Sequence, residues 1–339
     1  MTMPEKPPHT LDDIARLANV SRSTVSRALN DSPLLSQKTK DRIQAIAREH
    51  RFQINVAARN LRLRQSRTIA FVAPVYAPTS FSAEDVFGLE MLGGIGNGLH
   101  ALGYDCLIVQ RDPHDSTWAH QYHDSGRVDG FILHASHLTP ALIQSLITMG
   151  APFIVWGMPL PPFTYCSVMG DNTTGGILAT EHLIRRERRQ IAFLGGPAET
   201  ETVQQRFDGY AQALQAAGRS VEPRLVTYGD YSYASGVAGM QRLLDQAPDL
   251  DAVFVVSDLM AIAAIHAIQE RGKRVPEDIA VVGYDDVAIA SYTSLPLTTI
   301  RQNIPLAGKL LAQNLIHYIE TGCVTSVTVP VKLVIRSSA

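Results

Sequence analysis

From Thr68 onward the chain alternates short β-rich apolar segments with helical patterns, and it does so twice. "TIAFVAP", "DCLIVQR", "VDGFILHA" and "PFIVWGM" are interleaved with "GLEMLGGIGNGLHALG" and "LIQSLITMG". After "CSVMGDNTTGG" the cycle resumes with "ILATEHLIRRE", "QIAFLGG", "RFDGYAQALQAAG", "GVAGMQRLLDQ", "DAVFVVSD", "LMAIAAIHAIQERG" and "IAVVGYDD". Strands separated by helices pair in parallel, and a parallel sheet needs helices on both faces. Two rounds therefore predict two doubly wound α/β lobes. A chain of 339 residues, 45% of them apolar, has material for these cores and for one smaller unit.

The smaller unit is written in "TLDDIARLANVSRSTVSRALN", Thr10 to Asn30. Thr10 with Asp13 three residues on reads as a helix N-cap, and Ser21 with Thr24 begins a second helix. Asn19 ends the first, because Asn tolerates the left-handed conformation. Ile14, Leu17 and Ala18 are expected on one buried face, and Val25, Ala28 and Leu29 on the other, with small Ala15 where the helices cross. That leaves Arg22, Ser23, Ser26 and Arg27 outward. A third helix follows in "SQKTKDRIQAIAREH", capped by Ser36 with Ile43, Ile46 and Ala47 inward. Two short helices joined by a tight turn describe a helix-turn-helix, whose second helix enters the DNA major groove, where arginine reads guanine edges. An ordinary helical hairpin with a solvated face is the competing reading.

Charge separates the two. Residues 1–67 hold 13 Lys and Arg against 6 acids, net +7, whereas the remaining 272 residues carry net −9. A basic head on an acidic body is the asymmetry expected when one end binds nucleic acid.

Together "TLDDIARLANVSRSTVSRALN", "VAARNL", "DNTTGG", "VSDLMAIAA", "VVGYDD" and "LPLTTIRQ" resemble bacterial transcription regulators of the LacI/GalR family, from about Thr10 to Arg336. The resemblance implies an all-α helix-turn-helix head plus an α/β core of two doubly wound lobes like those of periplasmic sugar-binding proteins. The division it suggests is a disordered tail over 1–9, the head over 10–54, and a hinge helix and linker over 55–67. Lobe 1 then takes 68–170 with 302–325, and lobe 2 takes 171–301 with 326–339. The implied partners are operator DNA, a small-molecule effector and a second copy of the chain. Contacts to DNA are expected from Thr10, Ser21, Arg22, Ser23, Thr24, Ser26, Arg27 and Asn30 in the head. In the hinge they are expected from Asn55, Ala58, Arg59 and Leu61, with Leu61 in the place of the family leucine that wedges into a base step. Ile54 stands where many relatives carry proline, so Asn55 is the expected hinge cap.

Ligands of open parallel sheets bind beyond the carboxyl ends of strands. "AVFVVSD" ends at Ser257 and Asp258, and "IAVVGYDD" at Asp285 and Asp286. A carboxylate there accepts hydroxyl hydrogen bonds, and Arg206 supplies a fork of donors. By resemblance Arg206, Ser257 and Asp285 contact effectors, Tyr231 stacks on a ring, and Trp156 faces the cleft from lobe 1. Asp258 shares the site but reads more as a helix cap. Asp171 and Asn172 read as shaping the turn between lobes, and Trp156 fits a core as readily as a pocket. Gly157 stands where some sugar-responsive relatives place an acid, which removes an acceptor and opens space. A sugar is the expected effector, with a nucleoside or purine as the alternative. A sugar-binding transport component is the reading from another class, and it requires export.

No catalytic residue, metal or cofactor is expected. Cys106, Cys166 and Cys323 lack CxxC spacing and read as reduced thiols. His114, His120 and His123 in "DPHDSTWAHQYH" read as a solvated loop and helix start, "LGGIGNG" has phosphate-loop glycines in the wrong order, and a nucleophile elbow is lacking. Without a signal-peptide region or an apolar run of the roughly 18 residues that span a membrane, the expected location is the cytoplasm. No heptad run follows "VTVPVKLVIRSSA", so a dimer is expected.

Overall fold

The computed structural model describes residues 10–29, 31–52, 65–74, 85–111, 115, 117–135 and 138–339, and the chain divides into two compact units, Met1–Ser66 and Arg67–Ala339. In the first unit, α1 (Leu11–Ala18), α2 (Arg22–Leu29) and α3 (Gln37–Glu49) enclose Ile14, Ala15, Ala18, Val25, Ala28 and Ile43. Thr10 and Asp13 form a reciprocal capping box, and Asn19 closes α1 at φ 49°. The Ser21 hydroxyl accepts from the Thr24 amide at 3.1 Å, capping α2. The core differs from the sequence reading at Leu17, which is 50% exposed, whereas Ala15 is buried as expected of the crossing. Side chains of α3 secure the ends of the other two helices: Arg42 donates to the Ala18 carbonyl at 3.0 Å and Gln44 to that of Ala28 at 3.2 Å. Asn30, Ile54 and the hinge residues Asn55, Ala58, Arg59 and Leu61 lie outside the described residues, as does the 1–9 segment.

The second unit contains two sheets. The strands in chain order are β1 (Thr68–Pro74), β2 (Asp105–Arg111), β3 (Gly130–His134), β4 (Phe153–Trp156), β5 (Ser167–Gly170), β6 (Ile191–Gly195), β7 (Val226–Tyr228), β8 (Ala252–Val255), β9 (Ala280–Asp285), β10 (Thr298–Arg301), β11 (Val327–Val329) and β12 (Lys332–Val334). The first sheet runs β11-β5-β4-β3-β1-β2 and is parallel throughout. The second runs β12-β10-β9-β8-β6-β7, parallel except for antiparallel β12. The helices of lobe 1 are α4 (Val86–Ala101), α5 (Trp118–His123), α6 (Pro140–Thr148) and α11 (Ile304–Thr321). Those of lobe 2 are α7 (Asn172–Arg185), α8 (Glu201–Ala216), α9 (Tyr233–Gln246) and α10 (Asp258–Glu270). Central strands such as "IAFLG" and "AVVGYD" are buried along their whole length, which explains why they read as continuous apolar runs.

The final crossing between lobes lies later than the sequence boundary at 326. Val327–Val329 pairs with β5 in the first sheet, and the chain passes to the second sheet only at Lys332. Apolar alternation marks a strand but not the sheet it joins.

Helices α7 and α8 pack unusually closely. A Cβ on Gly176 would lie 2.2 Å from the Arg206 carbonyl oxygen, and one on Gly209 equally near that of Thr173. This contact brings the start of α7 beside the Arg206 side chain.

Candidate functional site

In lobe 2 the ends of β8 and β9, neighbours in the sheet, deliver Ser257 and Asp285 to the same edge. Arg206, on α8, is only 4% exposed. Its Nε donates to Asn172 Oδ1 at 3.0 Å, its Nη1 donates to the Val256 carbonyl at 2.6 Å, and its guanidinium carbon stands 3.6 Å from the centre of the Tyr284 ring. A buried cation held on one side by two acceptors and below by an aromatic face is fixed in direction. Asn172 therefore does more than shape a turn: its own Nδ2 donates to the Gly170 carbonyl and to Gln205, which ties Arg206 to the segment between lobes. Asp171 caps α7 through the Thr174 amide at 3.1 Å.

Asp285 sits at φ 115° and is 7% exposed, with Gln302 Nε2 donating to its Oδ1 at 2.6 Å. Burial pushes its carboxyl up to about 7, against the opposing pull of Arg206 and the Gln302 hydrogen bond. The next residue turns away: Asp286 is paired with Arg301 and, at 2.6 Å, with Arg336. Within "DD", then, one carboxylate ends β9 beside Arg206 and Gln302, and the other ties the end of β9 to β10 and to the chain after β12.

Ser257 takes the capping role expected of Asp258, and Asp258 takes a third. Ser257 caps α10, accepting from the Met260 amide at 3.3 Å. Asp258 is the first helical residue, fully buried, and its carboxylate accepts from the Thr299 hydroxyl and, at 2.9 Å, from the Val287 amide. It is neither the cap nor a cleft contact. Burial, and then the charge of Asp285, holds its carboxyl well above the usual range. Asp258 thus secures the loop that follows Asp285. Tyr231 is half-buried at φ 70°, its ring against Gly196, where a Cβ would come within 2.5 Å of it.

Trp156 ends β4 and is 7% exposed; its ring stands 6.1 Å from that of Phe87, which also meets His134 edge-on at 6.2 Å. His134 ends β3 in register with Trp156. These strand ends and the first turn of α4 give lobe 1 an aromatic wall, of which the sequence reading had only Trp156. The following residue is a correction. Gly157 has φ 113°, and a Cβ there would lie 2.6 Å from that of Ala135. The glycine fits a tight strand end and leaves no added space.

In the head, Arg22, Ser23 and Arg27 are exposed on α2, with Thr24 and Ser26 half-buried. Arg22 lies 3.6 Å from Asp12, and the Ser21 hydroxyl meets those of Ser23 and Thr24 at 2.8 Å. Thr10 is engaged by Asp13. The exposed face of α2 is thus positive and hydroxyl-bearing on a rigid three-helix base. Among the described residues no cluster of three His, Cys, Asp or Glu side chains is placed to hold a metal ion, and no helix is long and apolar enough to cross a membrane. His120 and His123 both face Asp124; His114 lies outside the described residues.

Known proteins share both halves of this arrangement. Residues 10–55 match the bacterial regulatory proteins of the lacI family, and residues 180–339 match the periplasmic binding protein-like domain. The HTH-type transcriptional regulator CelR of Thermobifida fusca is 38% identical over 331 residues, 97% of this chain and 96% of CelR. The chain belongs to the lacI family of bacterial regulatory proteins. As a lacI-family member it is a DNA-binding transcriptional regulator. The repressor CytR of Escherichia coli K12 is 32% identical over 86% of this chain and 84% of its own length. Among solved structures, a CelR–cellobiose complex superposes with a TM-score of 0.76 at 35% identity, covering 98% of this chain and all of that one. The lac repressor dimer bound to operator and the anti-inducer ONPF gives 0.83 at 28% identity, covering 98% and 99%.

Proposed function

We propose that this lacI-family regulator is a homodimeric repressor that binds a near-palindromic operator and responds to a sugar held between its lobes. The observation that carries the effector class is the fixed Arg206 beside Asp285: a directed fork of donors and a carboxylate acceptor at adjacent strand ends suit vicinal hydroxyls. The aromatic wall of Trp156 and Phe87 supplies the apolar face that a pyranose ring needs. The likeness to a CelR–cellobiose complex supports a β-linked disaccharide as the first candidate. Arg22, Ser23 and Arg27 would meet bases or phosphates in the major groove, and Asn55, Ala58, Arg59 and Leu61 would form the minor-groove hinge. Twofold symmetry of the protein then matches that of the operator.

The test is a thermal-shift screen of the full chain against cellobiose, other disaccharides, monosaccharides, nucleosides and purines. A ligand at about 100 times its Kd adds about 2.7 kcal/mol of stability. A saturable shift with one sugar, followed by a change in DNA affinity with that sugar, supports the reading. A shift with nucleosides or purines alone replaces the sugar with the second candidate, whose bases would stack on the same aromatic faces.

A further inference from the structure

Helix α4 presents Phe87 and Glu90 three residues apart, hence on one face. Phe87 packs toward Trp156, so this face is turned to the strand ends of lobe 1. Glu90 crosses to the other lobe: its Oε1 accepts a hydrogen bond from the Ala288 amide at 2.7 Å, 198 residues away in sequence. Ala288 opens the short 3-10 turn Ala288–Ser291, directly after the loop that holds Asp285 and Asp286. The preceding amide, Val287, is held at 2.9 Å by Asp258 from within lobe 2. Two consecutive amides of the effector loop are thus tied to carboxylates of opposite lobes. The first bond, to Asp258, moves with its own lobe; the second breaks if the lobes separate.

On the opposite side of the segment between lobes, Gln205 Nε2 contacts Met158 Sδ, and the same Gln205 side chain accepts from Asn172, the residue that holds Arg206. The loop carrying Asp285 and the helix carrying Arg206 each touch lobe 1 through a polar contact. The Glu90 contact is the stronger of the two, since an oxygen acceptor holds an amide where a thioether sulfur is only a weak acceptor.

We propose that Glu90 is a positioning residue that latches the two lobes across the cleft, holding the Asp285 loop against α4, and thereby sets the strength of coupling between effector and DNA binding. This rests on the reading of the chain as a regulator with its effector between the lobes. Because α4 belongs to lobe 1 and Ala288 to lobe 2, the latch exists only in the closed arrangement. It biases that equilibrium before any effector is present. By linkage, a bias toward the closed form changes effector and DNA affinity together.

The experiment compares the full-length wild type with Glu90→Ala and Glu90→Gln. The DNA probe is a duplex selected from randomised DNA by the wild-type protein, and the effector probe is cellobiose. Glutamine keeps an acceptor oxygen at the same reach; alanine removes it. Expected results are faster hydrogen exchange in residues 285–292 for the alanine variant, and a change of about threefold or more in its effector-free DNA affinity, with the glutamine variant close to wild type. Wild-type exchange and DNA affinity in the alanine variant overturn the latch. Equal changes in both variants also overturn it, because the charge of Glu90 rather than its bond would then matter. If the wild type ignores cellobiose in the DNA assay, the effector assignment fails, while the effector-free comparison still decides the latch.

Discussion

The Nε of Arg206 and the Oδ1 of Asn172 meet at 3.0 Å across the glycine-lined contact of α7 and α8, and this bond aims the guanidinium at the end of β9. The geometry depends on a planar donor that stacks on Tyr284 while bonding two acceptors. Lysine has neither the plane nor the fork.

Arg206→Lys is therefore expected to weaken effector binding by about 2–3 kcal/mol, roughly 30- to 150-fold, the worth of hydrogen bonds to a charged group. Isothermal titration with the sugar found in the screen measures it. Near-wild-type affinity in a folded Arg206→Lys protein would remove Arg206 from the site.

Acidity gives a second test. The Asp285 carboxyl is raised from 3.8 to about 7 in the folded protein, mainly by burial. The folded state therefore holds this proton more tightly than the unfolded chain does. Its contribution to stability is complete below about pH 4 and is lost as the pH rises through 7. Asp258 is shifted in the same direction by burial and the neighbouring charge. The Tm of Asp285→Asn should fall less than that of wild type between pH 5 and pH 8. Parallel Tm curves for the two proteins would show that Asp285 titrates normally.

Position 157 invites substitution by an acid, the residue type that the family resemblance suggested there. At φ 113°, with Ala135 at 2.6 Å from any added Cβ, Gly157→Asp meets both backbone strain and overpacking. Each costs about 1–3 kcal/mol, so chemical denaturation should show a loss of about 2 kcal/mol or more. Wild-type stability would mean that the strand end relaxes readily.

For the head, Arg27 is exposed on the outward face of α2. If it meets a phosphate, Arg27→Ala weakens binding to all duplexes alike and lowers the slope of log K against log salt by about 1. If it reads a base, the loss is confined to the selected sequence. An unchanged affinity and slope would exclude Arg27 from the interface.

The architecture could be read from the sequence because it is periodic: caps at Thr10 and Ser21 and buried runs such as "IAFV" and "AVVGYD" each carry a local signal. The candidate site was legible in the residues alone where a motif ends a strand, and at Arg206 and Tyr231 through the family resemblance. Adjacent aspartates look alike in sequence, yet Asp285 faces Gln302 and Arg206 while Asp286 is consumed by arginines 15 and 50 residues away. One residue of phase separates the Ser257 cap from the buried Asp258 tie, which is finer than cap preferences resolve. Glu90 and Phe87 were hidden in a helix that reads as scaffold, since helical periodicity gives a face but not the partner across a cleft. Gln302 lay within "LPLTTIRQ", and its meaning needed the proximity of β9.

The late crossing between sheets has a consequence for the order of synthesis. Sheet one takes β11 and sheet two takes β12, so neither lobe can complete its edge until Val327–Val329 and Lys332–Val334 have left the ribosome. The head needs nothing beyond Phe52 for its core. A nascent chain thus acquires the part that reads DNA long before it acquires the part that governs the reading. A premature stop after the head would release a reader of DNA that no effector can govern.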